Sequence, residues 1–141
     1  NWLRLEKSYR AFGTELGRDA TPAEADLPRF IDLSKDFHGK DAMVETGVRV
    51  KCCTLLIDGP ADADPWGREV LYTPEGERVG RLTSGGYSVA FEKSIGMGYV
   101  KPELAVPGTK LKVKILDQLW DAEVTCDSPY DPKNETIRVT G

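Results

Sequence analysis

Arg4 is the side chain in this sequence best suited to hold a ligand. A guanidinium is planar and permanently charged, and it grips a carboxylate through two parallel hydrogen bonds. Arg4 lies between Trp2 and Leu5, on a segment whose apolar spacing points to burial, so it is either solvated or aimed at an anion. Few other residues are spaced for chemistry. His38 is the only histidine, in a turn between Phe37 and Gly39, and any histidine triad or metal site would rest on it alone. Asp58, Asp62 and Asp64 loosely resemble a calcium loop but lack its glycine and closing glutamate, so they read as a solvated acidic loop. Gly96-Met97-Gly98 has no third glycine and no following helix, which discounts a dinucleotide loop. No phosphate-binding loop or nucleophile elbow is present.

The three cysteines, Cys52, Cys53 and Cys126, have no metal-ligand spacing. Neighbours on a strand point to opposite faces, so Cys52 and Cys53 cannot share one site. An odd count without a framework implies a reducing compartment, and all three read as buried, unreactive thiols.

The elements that must carry these residues are short. The 141 residues suit one domain, or one domain with a remnant of another. A chain of this size buries about 70% of its unfolded surface and needs no disulfide or metal. With 40% hydrophobic and 30% charged residues it is a folding sequence, and 14 glycines and 9 prolines favour many turns. A net charge of −4 argues against a nucleic-acid surface. No apolar run approaches the roughly 18 residues of a membrane helix, and no signal peptide is visible. The opening Asn-Trp-Leu-Arg, without Met and in mid-helix, is expected of a piece of a longer protein.

Trp2, Leu5, Tyr9 and Phe12 fall on one face of an expected first helix that Gly13 stops. Thr21-Pro22-Ala23-Glu24 is a capping box opening a short helix, Arg29–Leu33 a possible strand, and Lys40–Val44 a helix after a turn. From about residue 46 the character changes to strand-like runs: 48–57, 69–72, 78–83, 87–91, 95–100, 110–116, 119–126 and 136–139. Ser84-Gly85-Gly86 reads as a break. Seven or eight strands at a spacing of about ten residues, with no helices between, predict an antiparallel barrel or sandwich. The fold class is therefore mostly β: an antiparallel β-barrel preceded by a short α/β segment.

Several stretches in register resemble the aminomethyltransferase family, which includes the T-protein of the glycine cleavage system. They are Leu3-Arg4-Leu5-Glu6, Phe12-Gly13, Thr21-Pro22-Ala23-Glu24-Ala25 and Asp36-Phe37-His38-Gly39-Lys40-Asp41-Ala42, followed by Gly80-Arg81-Leu82-Thr83-Ser84-Gly85, Ile95-Gly96-Met97-Gly98-Tyr99-Val100 and Pro107-Gly108-Thr109. Glu6–Gly13 and Ser128–Glu135 are more similar to the dimethylglycine and sarcosine dehydrogenase branch.

The resemblance implies that residues 1–45 end a folate-binding domain and that 46–141 form the family's C-terminal β-barrel. It implies tetrahydrofolate as the one-carbon acceptor, and FAD on an upstream domain that oxidises a small-molecule N-methyl amine. By the same resemblance Arg4, Phe12 and Tyr130 border the folate, while the catalytic aspartate, the pterin-binding glutamate and any flavin motif lie upstream, so no catalytic residue is expected here. Phe12 stands where the family has Tyr or Trp and brings no hydroxyl, and Ser8 stands where Gly is common. Expected partners are the upstream folate and flavin domains, with no nucleic acid or membrane. The expected location is cytoplasmic, with the mitochondrial matrix as alternative. The competing reading is a binding module without chemistry, using the loop from Gly59 to Arg68 with Pro65 and Trp66.

Overall fold

The computed structural model describes residues 2–60, 62–136 and 138. Six strands close into a barrel in the order β1-β4-β3-β2-β5-β6, every pair antiparallel. They are β1 (Lys51–Ile57), β2 (Val70–Tyr72), β3 (Arg78–Ser88), β4 (Lys93–Val100), β5 (Lys110–Ile115) and β6 (Gln118–Thr125). Closure pairs every strand on both sides, so no edge is left to template aggregation.

The period-2 patterning decides what lies inside. Leu111, Val113 and Ile115 of β5 are buried, while Lys110 and Lys114 are exposed. Cys53, Leu55 and Ile57 join them inside the barrel with Leu71, Leu82, Val100 and Val124. Each such apolar side chain contributes roughly 1.5–3 kcal/mol of transfer free energy.

The opposite face of β1 is covered too. Cys52 packs with Leu5, Ile95 and Met97, flanked by Leu56 and Tyr99. The cover is the segment before the barrel, which holds α1 (Trp2–Glu6), a 3-10 turn (Pro28–Phe30) and α2 (Lys40–Thr46). The adjacent cysteines thus belong to two separate cores, as alternation on a strand requires.

Several sequence expectations are corrected. The first helix stops at Glu6 instead of running to Phe12. The N–H of Ser8 donates to Leu5 O (2.9 Å) and that of Tyr9 to Arg4 O (2.8 Å), with Ser8 left-handed at φ 54°. This is a Schellman stop, in which Gly is the usual residue. Ser8 occupies it because its hydroxyl bonds Thr54 Oγ1 (2.7 Å) and accepts from Ser128 N (3.0 Å).

Arg29–Leu33 is not a strand: the 3-10 turn and its Pro28 take that stretch. Ser84-Gly85-Gly86 does not break β3, because Gly85 pairs with Gly96 and Gly86 with Ile95. A Cβ on Gly85 would stand 2.5 Å from Pro65 O, so its glycine admits a crossing backbone and does not end the strand. The separate strand expected at 87–91 is consequently the end of β3 and a turn. Lastly, Cys126 is exposed. The closing strand expected at 136–139 falls partly outside the described residues, where Thr136 and Arg138 are in turn conformation. The capping box forms: Thr21 N donates to Glu24 Oε2 (2.8 Å) and Glu24 N to Thr21 Oγ1 (3.2 Å), though only turns follow it.

Candidate functional site

Charged side chains from the first 24 residues fasten the covering segment to the barrel. Glu15 is central, with no exposed side-chain surface. Its Oε2 accepts from Arg4 (2.9 Å), Ala11 N (3.0 Å) and Thr14 Oγ1 (2.7 Å). Its Oε1 accepts from Thr83 Oγ1 (2.7 Å) and from the Ser84 hydroxyl. Burial pushes this carboxyl towards the neutral form, but the bonds from Ser84, Thr83, Ala11 and Thr14 outweigh it and hold it below the usual carboxylate range. Glu15 is therefore a fixed buried anion.

Arg4 reads this anion from the partly open side. Its guanidinium also donates to Tyr9 O (3.0 Å) and Ser84 Oγ (2.8 Å), and 21% of its side chain stays exposed. It is thus neither freely solvated nor fully buried. A short loop returns the chain from Tyr9 to Glu15 so that both ends of the pair come from one local segment, while Thr83 and Ser84 arrive from β3 across the β3–β4 bulge at Leu82/Ser84.

Lys7 follows directly after the last residue of α1. It is 9% exposed and donates to Tyr130 O (3.2 Å), Asp131 O (2.7 Å) and Asn134 Oδ1 (2.6 Å). Three donors on an ammonium find three acceptors, so the segment after β6 is pinned back onto α1. Tyr130 N also donates to Glu6 O (3.0 Å). The Tyr130 side chain itself is 40% exposed. Phe12 sits on the 9–15 loop, where it bridges Leu16, and is 90% exposed. All three expected residues therefore hang from α1 or its immediate loop: Arg4 on the helix, Phe12 on the return loop, and Tyr130 tethered through Glu6 and Lys7.

Further buried charges hold the rest of the cover. Arg10 donates to Ala25 O (2.9 Å), Ser8 O (2.6 Å) and Asp127 Oδ1 (2.7 Å). The carboxylate of Glu24, fully buried, accepts from Arg49 Nε (2.8 Å) and Nη2 (3.2 Å) as well as Arg49 N and Thr21 N. Those bonds, led by Arg49, lower its pKa from 4.5 to about 2.

Beside the N-terminus of α1 an open hollow of about 530 Å³ is walled by Trp2, Pro65, Trp66, Tyr87 and Val89. Trp66 is 87% exposed and Val89 69%.

The arrangement offers an anchored cation, aromatic surface and an apolar hollow. Among the described residues it offers no group of three or more His, Cys, Asp or Glu able to hold a metal. His38 is exposed. Asp58 forms an ion pair with Lys93 (2.5 Å). Among the described residues no helix is long and apolar enough to cross a membrane.

Residues 51–131, the whole barrel and the segment Lys7 pins, match the family described as the glycine cleavage T-protein C-terminal barrel domain. The chain belongs to that family. Its sequence is 39% identical over 131 residues to dimethylglycine dehydrogenase of Rattus norvegicus, covering 88% of this chain and 15% of the relative. It is 34% identical over 137 residues to the aminomethyltransferase of Flaveria anomala, covering 92% of this chain and 33% of the relative. The crystal structure of the glycine cleavage system aminomethyltransferase T from Bartonella henselae superposes with a TM-score of 0.82 at 26% identity, over 92% of this chain and 37% of that one. This T-protein barrel thus spans about a seventh to a third of the length of these curated relatives.

Sequence reasoning missed Glu15 and Lys7 as organising residues, and missed the pairing of the capping-box Glu24 with Arg49. Thr83 and Ser84 were visible within a motif, but nothing in a linear spacing of 68 or 69 residues announces that they meet Glu15.

Proposed function

We propose that this T-protein barrel acts as the C-terminal part of a tetrahydrofolate-dependent one-carbon enzyme, in which an upstream FAD domain oxidises an N-methyl amine such as dimethylglycine or sarcosine. The observation that carries the reading is the higher identity to dimethylglycine dehydrogenases, 37–39%, against 33–35% for aminomethyltransferases, along a chain that spans a minor share of either. In this reading residues 1–45 complete a folate-binding domain and 46–141 form the barrel. Arg4 is the cation that meets an anionic part of the folate, held in orientation by Glu15, and the faces of Phe12 and Tyr130 border the same pocket. The Trp2–Trp66 hollow receives the upstream domain. No residue of this chain performs the transfer, because proximity of donor and acceptor must be built by groups upstream. The setting is cytoplasmic, with the mitochondrial matrix as the alternative that the relatives' names favour.

The test is a pair of measurements. The 141-residue chain alone should give no folate-dependent one-carbon transfer. Joined to its upstream folate domain, the protein should bind tetrahydrofolate, and Arg4→Ala should weaken that binding about tenfold or more, as loss of a charge-assisted contact does. Turnover by the isolated chain, or unchanged affinity in the variant, overturns the reading.

The second reading, a simple aminomethyltransferase without flavin, is favoured by the T-protein structure's match over 92% of the chain. A protein-bound flavin spectrum in the full-length protein decides between the two.

A further inference from the structure

A second hollow, of about 330 Å³, lies between the loop from Gly13 to Ala20 and the start of β3. Arg78 and Arg81 both line it, with Asp19 on the loop side and Thr14, Thr83 and Tyr99 along its wall. Strand alternation would put residues three apart on opposite faces. A β-bulge removes that conflict: Leu71 pairs with Gly80 but Tyr72 with Arg78, so Val79 is inserted. Val79 is buried, a Cβ on Gly80 would stand 2.1 Å from Tyr99 O, and both arginines are consequently turned outward. Bulges are a known means of re-aiming side chains at sites.

Neither guanidinium has a hydrogen-bond or ion-pair partner among the described residues, although ion pairs occupy Lys101 and Glu77 nearby. Asp19 stands more than 4.0 Å from both, since no ion pair joins them. The other polar groups of the wall are engaged. Thr14 and Thr83 bond Glu15, and Tyr99 OH donates to Glu15 O (2.7 Å). Two planar cations on one strand, lining a concavity with only one carboxylate, leave a net positive charge with ten N–H donors.

We propose that this hollow is a binding site for a small oxyanion-bearing ligand, a phosphate or a polycarboxylate, held by Arg78 and Arg81. The site does not involve Arg4, and it stands or falls independently of the proposed folate reaction. Asp19 limits it to ligands that keep their anionic groups on the β3 side. Glycines at 13 and 17 leave room for a ligand against the backbone, since nothing stands within 4 Å of a Cβ at either.

Titration of the 141-residue chain with inorganic phosphate and, separately, with citrate tests this by calorimetry and by chemical shifts of the arginine side chains. Binding that weakens at least about tenfold in Arg78→Ala and in Arg81→Ala is expected. Stronger binding of citrate assigns a polycarboxylate ligand, and stronger binding of phosphate assigns a phosphate. Gly17→Glu supplies a control for folding, because nothing stands within 4 Å of a Cβ at Gly17 and the new carboxylate opposes the anion. It should weaken binding with unfolding midpoint unchanged. No binding of either anion at millimolar concentration, or binding that all three variants leave intact, overturns the proposal.

Discussion

Glu15 and Arg4 form an ion pair at 2.9 Å in which the carboxylate is wholly buried and the guanidinium is one-fifth exposed. The asymmetry matters. A buried anion with five donors has nowhere else to go, whereas the cation keeps an open side. The pair therefore positions Arg4 and ties the covering segment to β3 through Thr83 and Ser84.

Replacing Glu15 by Ala should be among the most damaging changes in the cover. It removes the Glu15 counter-charge from Arg4 and leaves Ala11 N, Thr83 and Ser84 without their buried acceptor. The expected loss is about 3 kcal/mol, typical of breaking one side of a buried pair. Urea unfolding would show it as a lower midpoint with unchanged slope. A shift under about 0.5 kcal/mol would mean that water replaces the carboxylate without cost.

Acid should loosen the junction between Glu24 and Arg49. The folded carboxyl titrates at about 2 instead of 4.5, so the unfolded chain binds its proton first as pH falls. The contribution is complete above pH 4.5 and is lost progressively as pH drops through about 2. Because Arg49 is 60% exposed, screening reduces the magnitude, and 1 M salt should shrink it further. Stability measured from pH 6 to pH 2 should fall less steeply in Glu24→Gln than in the parent chain. Equal slopes would show that the pair is not the titrating element.

Thiol chemistry should distinguish one cysteine from the other two. Burial pushes Cys52 and Cys53 up to about 12, so neither carries appreciable thiolate at pH 8. Cys126 is exposed. Ellman's reagent should titrate one thiol in the native protein and three after denaturation. Two fast thiols in the native state would show that the β1 face opens readily.

The β-strands of the barrel were largely legible, because alternation such as Lys110 to Ile115 reports burial on one face and solvent on the other. The capping box at Thr21 was legible for the same local reason: its two bonds join residues three apart. The length of α1 was not. Trp2, Leu5, Tyr9 and Phe12 keep helical spacing, yet only Leu5 is buried, because a left-handed Ser8 held by Thr54 and Ser128 ends the helix. Glycines misled in the other direction at Gly85, where a crossing Pro65 carbonyl was the reason for the residue and the strand ran on.

The chain alone therefore determined what depends on neighbours along it: mostly antiparallel strands, the turns between them, the capping box, the opposite facing of Cys52 and Cys53, and motifs in the order of the T-protein family. Tertiary structure decided the closure of the barrel, the stop of α1, and the meeting of Glu15 with Thr83 and Ser84, of Lys7 with Tyr130 and Asp131, and of Arg10 with Asp127. Those partners lie 68 to 124 residues apart, and a charge in a sequence looks the same whether it ends in water or in a buried pair. Only the packed fold removes the water, and with it the choice.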